Sequence, residues 1–233
     1  MGEKMKISKR LMKVAGFVSH GNKLADIGTD HGYVPIYLIQ NGVIPKAIAM
    51  DINQGPLERA KENILANGLK DKITVRISDG LDQLNFNEAD TILIAGMGGA
   101  LVVNIMARGL EVLNSAKELV LSPHSELDLV RHFLCENNFK IIEEEMFKDE
   151  GKFYTVIKAI RGNMVYSKEI YYKYGKFLLE RKNQTLKEFL IKEKNTYTRL
   201  LEHLCNNGNA SDRAAEIEGI LQEIEDSLQY FID

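Results

Sequence analysis

The residues best suited to chemistry lie in one short stretch, Leu24–Gly32, which reads LADIGTDHG. Asp26 is followed by Gly28 and Gly32 in the pattern acidic-x-Gly-x-x-x-Gly. Glycines let a backbone turn sharply and let a ligand lie close to it. Because an apolar run precedes the turn, we expect it to follow a strand, where ligands bind in open α/β sheets. The pattern therefore predicts a nucleotide-like ligand at this turn.

The charges of this turn indicate which ligand it suits. A dinucleotide fingerprint, G-x-G-x-x-G, cradles a pyrophosphate. Here Asp30 stands at the place of the second glycine, and Asp26 precedes the turn. Two carboxylates repel a pyrophosphate, but they suit S-adenosylmethionine, which carries an ammonium and a sulfonium and no phosphate. The alternative is a tight turn whose carboxylates are merely solvated.

Further carboxylates follow the next two predicted strands. Asp51 ends the second, where an acidic residue typically accepts hydrogen bonds from ribose hydroxyls, and Asp79-Gly80 follows the third, where it can hold an adenine amine. A helix cap and a plain Asp-Gly turn are the respective alternatives. The predicted cofactor-binding residues are Asp26, Gly28, Thr29, Asp30, His31, Gly32, Asp51, Ile52, Asp79, Gly80, Ala95 and Gly96.

The loop after the fourth predicted strand, Ile94–Gly99 (IAGMGG), is suited to a flat purine. Its glycines expose backbone groups, and Met97 can pack on a ring face. The chain has no Asn-Pro-Pro-aromatic loop of the kind that methylates exocyclic amines, so a ring nitrogen is favoured. Methylation there makes adenine cationic, and Asp30 can stabilise that charge, with His31 as a proton relay or a structural residue. The predicted catalytic residues are Asp30, His31, Gly96, Met97 and Gly98.

The apolar pattern predicts the elements that position these residues. Helical spacing covers 7–18, and short β-branched runs then alternate with helix-like segments. Strands are predicted at 24–28, 46–52, 73–77, 91–95 and 118–122, and helices at 33–41, 56–67, 99–113 and 126–136. Two further strands, 139–147 and 153–160, flank the turn at 149–151. The alternation predicts an α/β, Rossmann-like parallel sheet with an antiparallel hairpin at its edge.

A boundary at 161–163 divides the sequence into a predicted domain over 1–162 and a second over 163–233. The second shows helices over 165–206 and 211–232, broken at 206–209, with Ser211 as a helix cap. Apolar residues recur at coiled-coil spacing in both helices. We therefore predict an α-helical coiled-coil hairpin.

The composition of the chain limits which partners and which cellular location it can have. The chain has 233 residues, 45% of them hydrophobic and 27% charged, with a net charge of −3. A nucleic-acid partner must therefore be met by a local basic patch. The two cysteines show no ligand spacing, so we expect reduced thiols, no metal and a cytoplasmic location. No apolar run reaches the roughly 20 residues that cross a bilayer, so no membrane association is predicted.

At these residues the sequence resembles the bacterial tRNA adenine-22 N1-methyltransferases. The match runs through Ile7–Leu11, Ala25–His31, Asp79–Leu81, Ile94–Leu101 and Asp149–Lys152. The resemblance implies a class I methyltransferase domain with a coiled-coil tail, S-adenosylmethionine as cofactor and adenine 22 of tRNA as substrate. Ser122-Pro123-His124 departs from the Gln-Pro-Asn rim of some members, which leaves the role of His124 open.

The charge of the tail indicates how RNA is held. Residues 166–199 hold nine Lys/Arg and four Glu, whereas 200–233 hold one Arg and eight acids. The two helices can pair through these charges, or the first can turn a basic stripe toward phosphates. Tyr171, Tyr172 and Tyr174 lie beside the basic residues, where their rings can stack on bases. The predicted RNA contacts are Lys9, Arg10, Arg181, Lys182, Lys187 and Lys192.

Three other functions fit parts of the sequence. They are a methyltransferase of small molecules or proteins, a non-catalytic RNA- or nucleotide-binding protein, and an NAD-dependent oxidoreductase. The basic tail argues against the first, and the acidic turn argues against the last. The oligomeric state is predicted to be a monomer or a weak homodimer.

Overall fold

A computed structural model describes residues 4–206 and 211–232. The chain divides into two compact units. The first runs to Glu144 and resumes over Tyr154–Val165, and the second comprises Glu145–Phe153 and the chain from Tyr166 onward. Within the described residues, no helix has the length and apolar character needed to span a membrane.

The first unit alternates strands and helices as the apolar pattern predicted. Its strands are β1 (Leu24–Ile27), β2 (Ala47–Asp51), β3 (Ile73–Ile77), β4 (Thr91–Ala95) and β5 (Glu118–Ser122), followed by β6 (Phe139–Asp149) and β7 (Lys152–Arg161), which are shared with the second unit. Its helices are α1 (Lys9–Gly16), α2 (Tyr33–Gln40), α3 (Gln54–Ala66), α4 (Gly99–Arg108), α5 (Leu110–Leu113) and α6 (Leu127–Glu136). The single helix predicted over 99–113 is therefore two, and Gly109 at their junction packs so closely on Leu81 that a Cβ would lie 2.4 Å from it.

The strands form one sheet in the order β3-β2-β1-β4-β5-β7-β6. The first five pair in parallel, and β7 pairs with β5 in the antiparallel sense. Every residue of β1 and β5 is buried, as expected for strands covered on both faces. The predicted Rossmann-like sheet with an antiparallel hairpin is confirmed. This topology brings the carboxyl ends of β1, β4 and β5 to one edge.

Helix α1 is held at both its start and its buried face. Ser8 caps it, with its hydroxyl oxygen accepting from the Leu11 N–H at 3.3 Å. Val14 and Ala15 are buried, and the helix contacts α2. Arg10, in the first turn, is thereby fixed close to the carboxyl edge of the sheet.

The second unit contains α7 (Glu169–Tyr174), α8 (Lys176–Glu180), α9 (Gln184–Asn206), α10 (Ser211–Leu228) and a 3₁₀ turn at Gln229–Phe231. The prediction of one helix over 165–206 is wrong, because the backbone leaves the helical region twice. Gly175 has φ +91° and Lys182 has φ +51°. Asn183 then starts α9 by accepting the Leu186 N–H at 2.9 Å on its side-chain oxygen.

Helices α9 and α10 pack together along their apolar seams. Leu186 and Leu190 of α9 and Ile217 and Ile224 of α10 are all 0% exposed. Lys194 of α9 lies 3.0 Å from Glu225 of α10, so opposite charges do pair across this contact. Of the predicted break at 206–209, residues 207–209 lie outside what the structure describes, and so does the side chain of Ser211 that was predicted to cap the second helix.

The tyrosines that follow the domain boundary are part of the core of the second unit. Tyr171, Tyr172 and Tyr174 are buried. The hydroxyls of Tyr171 and Tyr230 are 2.9 Å apart, and the Tyr172 hydroxyl accepts the Tyr166 N–H at 3.1 Å. The prediction that these three rings stack on RNA bases is therefore wrong, because their apolar faces pack inside this unit.

Candidate active site

A cavity of about 310 Å³ opens at the carboxyl edge of the sheet. That volume is near the lower end of the roughly 300–1,000 Å³ range of small-molecule sites. Its wall brings together many residues that the sequence singled out, namely Arg10, Asp26, Gly28, Thr29, Asp30, His31, Ala95 and Gly96. Tyr33, Ser122 and His124 also line it. Among the described residues, no group of three or more His, Cys, Asp or Glu side chains is placed to hold a metal ion.

The turn after β1 is built from left-handed backbone conformations. Gly28 and Gly32 have φ +75° and +70°, and Asp30 has φ +46°, which is uncommon for a residue with a side chain. The N–H groups of Gly28 and Thr29 donate to the Met50 carbonyl at 2.8 and 3.0 Å. These bonds fix the turn against the end of β2.

Asp26 is a buried carboxylate with few partners. It is 6% exposed, and the Thr29 hydroxyl donates to it at 2.7 Å. Among residues 4–206 and 211–232, no lysine, arginine or histidine forms an ion pair with it. Burial raises the pKa of Asp26 to about 6; the Thr29 hydrogen bond opposes the rise and the nearby Asp51 charge adds to it. A cation bound in the cavity would stabilise the ionised form.

Asp30 differs from Asp26 because the chain itself supplies a cation. Its carboxylate lies 2.9 Å from the Arg59 guanidinium and 3.4 Å from His31 Nε2. The His31 ring stacks on Tyr33, with centroids 4.9 Å apart. The sequence pattern assigns both carboxylates of the turn to the cofactor, whereas the structure leaves only Asp26 of the two without a protein cation among the described residues.

Gly32 and the predicted cofactor residues at the ends of β2 and β3 are not among the residues that line the cavity. Asp51 accepts the Asn53 N–H at 2.8 Å, and Ile52 is 58% exposed. Asp79 pairs with Arg108 at 2.9 Å, and Gly80 abuts Ile105 of α4. Asp51 is close enough to influence Asp26, but the structure does not bring Ile52, Asp79 or Gly80 to the cavity. Their role in cofactor binding stays a prediction.

The glycine loop after β4 is held by the loop after β5. Gly96 N–H donates to the Ser122 carbonyl at 3.2 Å, and His124 N–H donates to the Met97 carbonyl at 2.8 Å. Glu126 accepts the Ala100 N–H at 3.0 Å, near the start of α4. A Cβ on Gly99 would lie 2.4 Å from the Glu126 carbonyl oxygen, so only glycine fits there without movement.

Met97 connects this loop to the turn after β1. A Cβ built on Gly28 would lie 2.2 Å from the Met97 methyl carbon. The Met97 side chain therefore lies directly over the glycine turn. An unbranched thioether adapts readily to a neighbouring group, so it can adjust to a ligand at this place. Gly98, by contrast, contacts Ser125 rather than the cavity.

Sequence reasoning missed one cluster at the rim. Arg10 Nη1 lies 2.8 Å from His124 Nε2. The His124 ring and the Arg10 guanidinium both contact the Tyr154 ring. Arg10 was predicted only as an RNA contact, and the role of His124 was left open. Tyr33 and Tyr154 carried no signal, because their positions in a helix and a strand are ordinary for aromatic residues.

The remaining predicted RNA contacts are on the surface. Lys9 of the first unit and Arg181, Lys182 and Lys192 of the second are exposed, and Lys187 is half-buried. Lys192 Nζ also lies 5.6 Å from the centroid of the Phe153 ring. Exposure is compatible with phosphate contacts, and the role of these residues stays a prediction.

Several known proteins are similar to this chain in sequence and in fold. The family described as a methyltransferase domain matches residues 7–157. A tRNA (adenine(22)-N(1))-methyltransferase of Bacillus subtilis (strain 168) is 39% identical over 159 residues, which are 68% of this chain and 67% of that protein. The crystal structure of the B. subtilis m1A22 tRNA methyltransferase TrmK has 31% identity and a TM-score of 0.87, covering 96% of this chain and 99% of that one.

A second solved structure holds a ligand. It is a candidate tRNA (m1A22) methyltransferase of Streptococcus pneumoniae in complex with S-adenosyl-L-methionine. Its identity is 34% and its TM-score 0.87, covering 96% of this chain and all of that one, 100%. The resemblance inferred from the motifs is confirmed, and this chain belongs to the tRNA (adenine(22)-N1)-methyltransferase family.

Proposed function

We propose that this protein transfers a methyl group from S-adenosylmethionine to N1 of adenine 22 in tRNA. Family membership supports the reaction and the substrate. The observation that carries the donor site is the buried Asp26 carboxylate, which has no cation of its own among the described residues and faces a cavity of suitable size.

The residues of the cavity fit a cationic nucleoside better than a phosphate-bearing one. When bound, S-adenosylmethionine supplies an electrophilic methyl group on a positively charged sulfur. Ionised Asp26 stabilises a cation in the cavity, and a ligand reaches the backbone of Gly28 when the flexible Met97 side chain moves aside. We assign Asp51, Ile52, Asp79 and Gly80 to the same donor site, on the ground that they follow strands at the same edge.

On the acceptor side, the protein has little proton chemistry to perform. N1 of adenine carries an in-plane lone pair, so the base attacks without prior deprotonation. The loop Gly96–Gly98 orients the base, and this positioning supplies much of the rate. Asp30 and His31 line the same cavity as Gly96 and stabilise the positive charge that develops on the ring.

The tRNA is held by cations outside the cavity. Lys9, Arg181, Lys182, Lys187 and Lys192 bind phosphates, which makes affinity strongly dependent on salt. The second unit carries most of these side chains, so we assign it to tRNA binding, with the catalytic domain over 1–162 and the tRNA-binding domain over 163–233. The reaction takes place in the cytoplasm, in keeping with the free thiols Cys135 and Cys205, and the protein acts as a monomer or weak homodimer.

The direct test is incubation of the purified protein with unmodified tRNA transcript and methyl-labelled donor, followed by mapping of the labelled nucleotide. We expect 1-methyladenosine at position 22. A transcript with guanine at that position is the matched control and should take up no label. Label at another nucleotide, or none in the first transcript, would contradict the proposal.

Separate variants test the two binding sites. Calorimetric titration of donor into Asp26→Asn should show affinity reduced at least about tenfold, since one charged contact is worth roughly 1.5–3 kcal/mol. Lys187→Glu with Lys192→Glu should weaken tRNA binding and leave donor affinity unchanged. Lys70→Glu with Lys72→Glu, which makes the same charge change on exposed residues of the first unit, should leave both affinities near wild type.

A further inference from the structure

Three side chains from three different elements meet at the rim of the cavity. Arg10 comes from α1, His124 follows β5, and Tyr154 lies on β7. Arg10 Nη1 and His124 Nε2 are 2.8 Å apart. The Arg10 guanidinium carbon lies 5.4 Å from the centroid of the Tyr154 ring, and the His124 ring meets the same ring edge-on at 5.7 Å. Arg10 and His124 both line the cavity.

The contact between Arg10 and His124 fixes the state of the imidazole. A guanidinium stays protonated and only donates hydrogen bonds, so His124 Nε2 must accept. The ring is therefore neutral, with its proton on Nδ1. The pair consequently carries one positive charge, on Arg10, and the neutral ring orients that charge without cancelling it.

The surroundings of Arg10 also restrict the orientation of its guanidinium group. The guanidinium lies over the Tyr154 ring, and arginine makes such contacts with aromatic rings more often than lysine does. Its helix is anchored by the Ser8 cap and by buried Val14. A guanidinium held in this way presents a planar fork of donors, which matches the oxygens of a phosphate.

We propose that Arg10, His124 and Tyr154 form a phosphate-binding subsite, which takes a phosphodiester of the substrate RNA next to the target adenine. This inference rests on the proposed function. The cavity is lined by carboxylates of the turn after β1 and by the Arg10 guanidinium of α1, so its wall attracts both a cationic donor and an anionic RNA backbone.

Such a subsite has a clear use in the reaction. Presenting a base from a structured RNA costs a few kcal/mol. A phosphate held beside that base offsets part of the cost and fixes its position over the loop after β4. Arg10 is the residue that binds the phosphate, and His124 and Tyr154 are positioning residues that act through Arg10.

Steady-state methylation of tRNA by Arg10→Gln, His124→Ala and the double variant tests the subsite. We expect Arg10→Gln to raise the KM for tRNA roughly tenfold, because a charge-assisted hydrogen bond is worth about 1.4 kcal/mol or more. Donor affinity should not change. The slope of log KM against log salt should fall by about one, as expected for the loss of one phosphate contact.

The two single variants should not be additive. His124→Ala should raise KM about threefold and keep the salt slope, since Arg10 keeps its charge. The double variant should resemble Arg10→Gln, because His124 acts through Arg10. Lys70→Gln, which removes an exposed charge elsewhere on the same unit, should leave KM at the wild-type value.

Other outcomes would overturn the subsite. Unchanged KM and salt slope in Arg10→Gln, with wild-type protein methylating adenine 22, would refute the subsite alone. Failure of the wild-type protein to methylate tRNA would refute both the subsite and the proposed function. If Arg10→Gln fails to fold, Arg10→Lys should still raise KM while keeping the salt slope, and a wild-type KM would again refute the subsite.

An independent measurement needs no variant that affects folding. Nitrogen-15 NMR of the histidines in the intact protein, with His124→Ala used only for assignment, reports which ring nitrogen carries the proton. We expect the Nδ1–H form of His124 at neutral pH. The Nε2–H form would exclude the contact on which the subsite depends.

Discussion

Asp26 and Glu118 are buried carboxylates at opposite edges of the sheet, and their surroundings shift their pKa values in opposite directions. Glu118 begins β5 at the amino edge, where it accepts the N–H and hydroxyl of Ser19 at 2.8 and 2.5 Å and the Thr91 hydroxyl at 2.7 Å. Lys158 lies 3.1 Å away. Burial alone would raise the pKa of Glu118, but these hydrogen bonds together lower it.

Asp26 at the carboxyl edge has a single hydroxyl donor, and its pKa is raised to about 6. The two carboxylates are almost equally buried, at 6% exposed for Asp26 and 4% for Glu118. What differs is whether the chain supplies the opposite charge. A buried charge that is paired with a charge of its own chain supports the fold. A buried charge without such a partner is a candidate for binding a ligand.

The largest expected effect is at the amino edge. Lys158→Met removes the cation and leaves Glu118 buried without it, so we expect the free energy of unfolding to fall by about 3 kcal/mol. Urea denaturation at neutral pH measures this change. Lys117→Met removes an exposed lysine that pairs with Asp90 at 2.9 Å and should cost less than about 1 kcal/mol. Equal effects of the two variants would mean that Glu118 does not depend on its buried partner.

The carboxyl edge should be less sensitive to charge than to added bulk near the backbone. In Gly99→Ala the new methyl meets the Glu126 and Ser125 carbonyl oxygens at 2.4 and 2.5 Å, so the glycine loop must move. We expect a loss of about 2 kcal/mol in unfolding free energy and a marked fall in kcat.

Gly96→Ala is the control on the same loop. It has open space around the added methyl and only an unfavourable φ of +82°. It should cost about 1 kcal/mol. A Gly99→Ala variant as stable and as active as Gly96→Ala would contradict the close packing of this loop.

The smallest effect is a proton released on donor binding. Near pH 6 about half of the Asp26 side chains are protonated, and a bound cation lowers the pKa, so roughly half a proton should leave per donor bound. Calorimetry at pH 6 in two buffers with different ionisation enthalpies measures the release. The Asp26→Asn variant should show none. Identical binding enthalpies in both buffers for the wild-type protein would show that Asp26 releases no proton when the donor binds.

The sequence predicted the sheet and the glycine turn after β1 well, because both depend on local signals. Alternating apolar runs placed β1 to β5, and the glycines at 28 and 32 located the left-handed turn that lines the cavity. Features that depend on contacts distant in sequence were missed. No local sequence pattern predicts the contact between Arg10 and His124, or that between Asp30 and Arg59, because these residues are far apart in the sequence.

The tail shows the opposite error, in which a local pattern was extended too far. Helix-forming residues run through 165–206, but Gly175 and Lys182 take left-handed conformations that divide the segment. The basic residues around Tyr171 and Tyr174 suggested RNA stacking. Packing inside the second unit buries those rings, and burial depends on partners such as Tyr230 that are far along the chain.

The pH dependence of unfolding free energy in Asp26→Asn relative to wild type, without donor, tests the central claim most directly. Because folding raises the pKa of Asp26 from 3.8 to about 6, the wild-type protein has its full stability below pH 4 and loses part of it as pH rises through 6. Asparagine does not titrate. The variant should therefore gain about 2.4 kcal/mol relative to wild type between pH 4 and pH 7.5. If the difference in unfolding free energy stays constant over this range, folding does not raise the pKa of Asp26, and ionised Asp26 does not destabilise the fold.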